Sequence, residues 1–265
     1  MRSVRTVAEV RELLALPRRG GERIGLVPTM GAFHAGHLAL IRAARAGADV
    51  VVVSLFVNPT QFDDPADLAR YPRDEARDFA VAEAEGVDVV FAPPAEELYP
   101  IGFATTVDPG ELGMVLEGAA RPGHFRGVAT VCTKLFAIVG PEVAWFGQKD
   151  AQQVTVIRRV ATDLNLPIEI VTIPTVRDAD GLALSSRNER LSPSERATAL
   201  ALPRALDAGL AAQRSGTDPV SATRSLLEGL DVDYVAVADL DGPTLVAAVH
   251  VGTTRLIDNV RLDPA

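Results

Sequence analysis

The chain has 265 residues, 48% hydrophobic and 23% charged, enough apolar material for one large or two modest domains with a buried core. A formal net charge of -9 excludes a general nucleic-acid-binding surface, because phosphate backbones attract clustered Lys and Arg; positive charge for an anionic ligand must be local. A single cysteine, Cys132, excludes an intramolecular disulfide; with no secretory apolar segment in MRSVRTVAEVRELL and no strongly apolar run longer than Val50 to Val57, a cytoplasmic protein without a membrane role is expected.

The first two-thirds alternates short β-rich runs with helical patterns. Strands are predicted near 23–27, 50–57, 87–91, 143–146 and 168–173, and helices over 38–46, 66–85, 128–139 and 151–164. Such alternation predicts an α/β fold with a Rossmann-like, doubly wound parallel sheet, whose ligands bind beyond the carboxyl ends of the strands. After Pro174 the polar loop RDADGLALSSRNERLSP leads to an Ala-rich helix over 195–213, a helix at 220–227 and β-like runs at 234–239, 245–251 and 254–257. The chain thus divides into a Rossmann-like domain over 1–175 and a smaller C-terminal α+β domain over 176–265.

The residues with chemistry fall where the predicted strands end. PTMGAFHAGH, Pro28 to His37, lies on a strand-to-helix turn, where unpaired backbone N–H groups and the helix dipole favour a phosphate. Gly36 permits close backbone approach, and His34 and His37 can face the same way on the first helical turn, each as a donor to a phosphate oxygen. The bland alternative is a capped turn with two solvated histidines.

Asn58 and Gln61, just past the second strand in NPTQF, suit a carboxylate, hydroxyl or amine, or else ordinary turn chemistry. Glu117, Arg121, His124 and Arg126 share a glycine-rich loop; the arginines suit a substrate carboxylate or phosphate, or equally a solvated loop or subunit contact, while His124 reads as structural. In FGQKD, Phe146 to Asp150, Lys149 can meet a phosphate and Asp150 can cap a helix or receive a ribose hydroxyl. Leu184 to Arg187 set two hydroxyls and a guanidinium in a loop at the domain junction, with Gly181 as a pivot; Ser192 and Glu195 form a capping box.

In order along nearly the whole chain, VPTMGAFHAGH, VVVVSLFVNPTQF, DLARYPRD, LEGAARPGHFRGV, AWFGQKDAQQ and DGLALSSRN resemble the pantoate:β-alanine ligase family of the cytidylyltransferase-like superfamily. The resemblance implies attack of pantoate on the α-phosphate of ATP, then displacement of AMP from pantoyl adenylate by β-alanine. It implies that Met30, Gly31, Ala32, Phe33, His34, Ala35, Gly36 and His37 bind ATP, with His37 as general acid. Gln61 would hold pantoate and later β-alanine, and Gln153 would hold pantoate, with Asn58 and Arg121 as further substrate-binding candidates. Gly147, Gln148, Lys149, Asp150 and Val176 would line the nucleotide site, and Leu184, Ser185, Ser186 and Arg187 would close on the phosphates, making the small domain a lid.

Mg²⁺ is the implied metal, with Asp78 as its candidate ligand, although Arg77 stands where the family often has an acid. Gln148 likewise replaces the usual glutamate of FGEKD. A homodimer is expected. The rival readings are a nucleotidyltransferase acting on a phosphorylated substrate, which the uncharged NPTQF disfavours, a non-catalytic nucleotide sensor, and a zinc hydrolase using His34 and His37, which lacks a nearby third ligand.

Overall fold

A computed structural model describes residues 1–63 and 65–262. Six parallel strands, β1 (Arg2–Val4), β2 (Ile24–Thr29), β3 (Val50–Leu55), β4 (Val89–Phe91), β5 (Val143–Gly147) and β6 (Glu169–Ile173), form one sheet in the order β1-β4-β3-β2-β5-β6. Val51, Val52 and Val53 are all 0% exposed although consecutive strand residues point to opposite faces. That burial on both faces is the mark of a parallel sheet covered by helices on either side. From β2 the order runs through β3 to β4 one way, and from β5 to β6 the other, so the topology reverses between two adjacent strands, β2 and β5. Ligands of doubly wound sheets bind at the carboxyl ends of such a pair.

The helices that follow in chain order are α1 (Val7–Gly20), α2 (Ala35–Gly47), α3 (Pro65–Arg70), α4 (Glu75–Ala84), the single turns α5 (Ala95–Leu98) and α6 (Glu117–Ala120), α7 (His124–Val139) and α8 (Ala151–Asp163). Leu40, Ile41 and Ala44 of α2 pack with Val27, Phe33, Val53 and Trp145 in one buried cluster, so the helix after the HxGH turn is held against the sheet by its apolar stripe.

The predicted helix over 66–85 is two helices, α3 and α4. Pro72 disfavours helical backbone at the buried Tyr71, and Asp74 restarts the helix by accepting the Arg77 N–H at 3.0 Å. No element is predicted before residue 23, where the chain in fact forms β1 and α1. A three-residue strand carries too short a pattern to read, and α1 has Pro17 inside it, a residue that ordinarily argues against a helix.

Contacts divide the chain into two compact units, Met1–Gly147 with Val156–Ile173, and Gln148–Thr155 with the chain from Pro174 onward. The second unit contains an antiparallel sheet in the order β7 (Asp231–Asp239), β8 (Pro243–Val251), β9 (Thr254–Arg261) and the helices α9 (Pro193–Ala199), α10 (Ala201–Arg214) and α11 (Pro219–Leu226). Leu202 and Leu206 of α10 pack with Leu245, Ala247 and Val249 of β8 in its core. Among the described residues, no helix is long and apolar enough to cross a membrane.

Candidate active site

Within the first unit, β2 ends at Thr29 and the chain turns into α2 through Gly31, at φ 86°, and Ala32, at φ 54°. Both lie in the left-handed region, which costs a non-glycine residue such as Ala32 about 1 kcal/mol or more. The turn therefore needs holding from outside. His34 is the N-cap of α2: its Nδ1 accepts the Gly36 N–H at 3.1 Å, and the Nδ1 of His37 accepts the His34 N–H at 3.3 Å. An imidazole that accepts at Nδ1 carries its proton on Nε2 when neutral. Both rings, with centroids 4.2 Å apart, are thus set as Nε2 donors at a helix N-terminus. A zinc role for the pair finds no support, since among the described residues no group of three or more His, Cys, Asp or Glu is placed to hold a metal.

Asp78 of α4, 2% exposed, gives one carboxylate oxygen to the Ala32 N–H and the other to the Phe33 N–H, each at 2.8 Å. Asp78, expected as a candidate metal ligand, is thus engaged through both oxygens with the backbone of the HxGH turn. The neighbouring acids are engaged as well, Asp74 in capping α4 and Glu75 in an ion pair with Arg5. These residues do not fit a resident Mg²⁺ site.

Beyond β3, Asn58 caps a 3₁₀ turn, Pro59–Gln61, that buries Gln61. The Oδ1 of Asn58 accepts from the Tyr99 hydroxyl at 2.8 Å and the Thr60 hydroxyl at 2.9 Å, so its Nδ2 must donate, and it does so to Gln61 Oε1 at 2.9 Å and the Gly127 carbonyl at 3.2 Å. Gln61 is thereby oriented with its Nε2 towards Met30, 3.3 Å from the sulfur. Burial pushes the Tyr99 phenol above its usual pKa, which keeps it a proton donor to Asn58.

Arg121, expected as a further substrate-binding candidate, lies against the Gln61 segment. Its guanidinium donates to the Gln61 carbonyl at 3.1 Å and lies 3.6 Å from Asp63, and His124 Nδ1 is 2.8 Å from the same carbonyl. Gly127 completes this support, because a Cβ there would lie 2.3 Å from the Thr60 carbonyl oxygen. A cavity of about 450 Å³ opens nearby, lined in part by Met30, Leu55, Pro59, Leu68, Arg73 and Asp78.

In the second unit, Gln148, Lys149 and Asp150 form a 3₁₀ turn ahead of α8, which carries Gln153. Asn259 of β9 donates from one amide nitrogen to the carbonyls of both Gln148 and Lys149, each at 3.0 Å, and its Oδ1 faces Gln148 Nε2 at 3.5 Å. The preceding Asp258 binds both terminal nitrogens of Arg177, at 2.6 and 3.0 Å. Val176 and Leu184 are joined by a backbone hydrogen bond of 3.0 Å, and Ser185 Oγ caps a short 3₁₀ helix through the Arg187 N–H at 3.2 Å. Gly181, expected as a pivot, stands in a tight turn: its N–H donates to the Asp178 carbonyl, and the Asp178 N–H donates to the carbonyl of the buried Leu182. The loop holding Leu184, Ser185, Ser186 and Arg187 lies in the second unit, which resumes at Pro174.

The first unit gathers Met30 to His37 with Asn58 and Gln61, and the second gathers Gln148 to Asp150 and Gln153 on one segment and Val176 with Leu184 to Arg187 on another. Tyr99 and Asn259, absent from the sequence reading, act on the Asn58 side chain and on the Gln148 and Lys149 carbonyls respectively, and lie in no motif.

The profile of the Pantoate-beta-alanine ligase family matches residues 2–261. The pantothenate synthetase of Moorella thermoacetica is 54% identical, with 99% of each chain covered, and pantothenate synthetase 1 of Bradyrhizobium diazoefficiens is 53% identical over 99% of this chain and 98% of its own. Among solved structures, a pantothenate synthetase from Thermus thermophilus superposes with a TM-score of 0.93 at 46% identity over the whole of both chains. The pantoate-beta-alanine ligase of Francisella tularensis, complexed with beta-gamma ATP and beta-alanine, gives 0.85 at 34% identity, covering 98% of this chain and 97% of its own. Full-length agreement in sequence, together with a sheet that reverses between β2 and β5 and carries the HxGH turn there, places this chain in the pantoate-β-alanine ligase family.

Proposed function

We propose that the chain condenses pantoate with β-alanine at the expense of ATP, through pantoyl adenylate. A pantoate carboxylate oxygen attacks the α-phosphorus, the bond to the β-phosphate oxygen breaks, and pyrophosphate leaves with the electron pair. The β-alanine amine then attacks the acyl carbon, the bond to the AMP oxygen breaks, and the amine loses its proton as pantothenate and AMP form. No covalent enzyme nucleophile is required, so the residues position the reactants and neutralise charge.

The observation that carries this reading is the pair of imidazoles at the α2 N-terminus, both committed at Nδ1 so that Nε2 donates, in a chain of this family. His34 would donate to the triphosphate, and His37 to the leaving pyrophosphate oxygen as general acid. Gln61, with its oxygen held by Asn58, presents N–H groups; that suits a carboxylate or hydroxyl oxygen of pantoate, and next the carboxylate of β-alanine rather than its ammonium. Gln153 would hold pantoate, while Lys149, Ser185, Ser186 and Arg187 would donate to phosphate oxygens and Met30 to Ala35, Gly147 to Asp150, Val176 and Leu184 would line the nucleotide. ATP would be used as its Mg²⁺ complex, the ion carried by phosphate oxygens. In the same reading the second unit acts as a lid that excludes water from the acyl adenylate, and the enzyme is a cytoplasmic homodimer.

Mass spectrometry of protein incubated with ATP, Mg²⁺, pantoate and β-alanine tests the reaction. Pantothenate with AMP and pyrophosphate is the expected product set; ADP and phosphate would indicate an acyl phosphate and overturn the adenylate route. Light scattering tests the dimer.

A further inference from the structure

We infer that Asp78 is a positioning residue for the nucleotide: its carboxylate grips the backbone of the HxGH turn and takes no part in binding metal. The inference rests on the reading of that turn as the ATP site. Asp78 reaches it from α4, 45 and 46 residues along the chain from the amides it accepts. The turn is moulded around the carboxylate, because a Cβ on Gly31 would lie 2.7 Å from Asp78 Oδ2 and 2.8 Å from Leu55 Cδ1. Two residues in left-handed conformation, Gly31 and Ala32, then lead through Phe33 into the N-cap His34. Ala32 does not favour that conformation alone, and the two charge-assisted hydrogen bonds hold it there. Releasing them lets the turn relax and carries both imidazoles away from where the phosphates must sit. A carboxylate buried to this degree with one N–H on each oxygen is a clamp, and a clamp acts whether or not a metal is present.

Asp78→Asn keeps the shape but sets an NH₂ group against one of the two backbone N–H donors. Asp78→Glu keeps the charge and the capacity to bind metal but shifts the oxygens by one methylene. Calorimetry of ATP binding, in EDTA and again with Mg²⁺, separates the roles. Both variants are expected to bind ATP at least about tenfold more weakly in both media, and to slow single-turnover adenylation by up to about 10², the scale of a misplacement near 1 Å. A defect seen only with Mg²⁺, or a normal Asp78→Glu enzyme, would make Asp78 a metal ligand and overturn the inference, as would unchanged ATP binding in both variants. Hydrogen exchange on the wild-type protein decides the matter even if the variants fail to fold. The Ala32 and Phe33 amides should be protected without ATP or metal, and rapid exchange at both would remove the clamp. If wild-type protein bound no ATP, the functional reading would fail while amide protection still reported on the clamp itself.

Discussion

The turns after β2 and β5 solve the same problem with opposite chemistry. The HxGH turn presents backbone N–H groups, and the first unit answers with an acceptor, the carboxylate of Asp78. The FGQKD turn presents carbonyls, and the second unit answers with a donor, the amide of Asn259. In each case a buried side chain from a later element matches the polarity of the exposed backbone, as unpaired buried groups require. The candidate side chains are thus carried by local segments, whereas the backbone that bears them is held by distant ones.

The largest expected effect separates the carried group from its clamp. His37→Ala should reduce turnover about 10² to 10³-fold, because a donor directed at developing phosphate charge acts mainly in the transition state. Rapid-quench measurement of pantoyl adenylate formation checks this, and an unaltered single-turnover rate would remove His37 from the chemistry.

Asn259→Leu comes next and breaks the second clamp. Two carbonyls lose their donor, each buried loss being worth about 1 kcal/mol or more, so kcat/KM for ATP should fall about tenfold with a lower unfolding midpoint. If stability drops and adenylation does not, the FGQKD turn holds its own shape and the parallel between the two turns fails.

Tyr99→Phe should be milder. Asn58 Oδ1 keeps the Thr60 hydroxyl, so Gln61 stays oriented and the KM for pantoate should rise only a few-fold, in keeping with one neutral hydrogen bond of about 1 kcal/mol. A KM raised a hundredfold would mean that Tyr99 itself touches substrate.

The smallest effect supplies the control. Cys132 is buried in α7 and desolvation pushes its thiol up to about 12, so iodoacetamide at pH 8 should leave the native enzyme unlabelled and fully active. Labelling in a clamp variant under the same conditions would reveal opening of the first unit rather than loosening of one turn.

Much of this was legible along the chain, for physical reasons. Unbroken valines at 50–53 require a strand buried on both faces, and a glycine-bearing HxGH segment between a strand and an amphipathic helix requires a turn with N–H groups directed outward. The break between α3 and α4 was also available in Tyr71-Pro72, yet the helical period on both sides concealed it. The sequence shows Arg121 as a cation in a glycine-rich loop, whereas its neighbour is set by folding, which brings it to the Gln61 carbonyl, 60 residues distant.

Local order of residues determined the strands, the turns between them and the kinds of group those turns carry, because hydrogen-bonding type and backbone preference belong to each residue and its near neighbours. Only the tertiary structure decided direction: which end of the Gln61 amide is engaged through Asn58, that Asp78 serves the backbone of one turn, and that Asn259 serves the carbonyls of the other. Those outcomes depend on side chains arriving from 41, 46 and 110 residues away, at Asn58, Ala32 and Lys149. A sequence pattern records the identity of such groups but not their meeting, since the meeting is enforced by burial in a shared core.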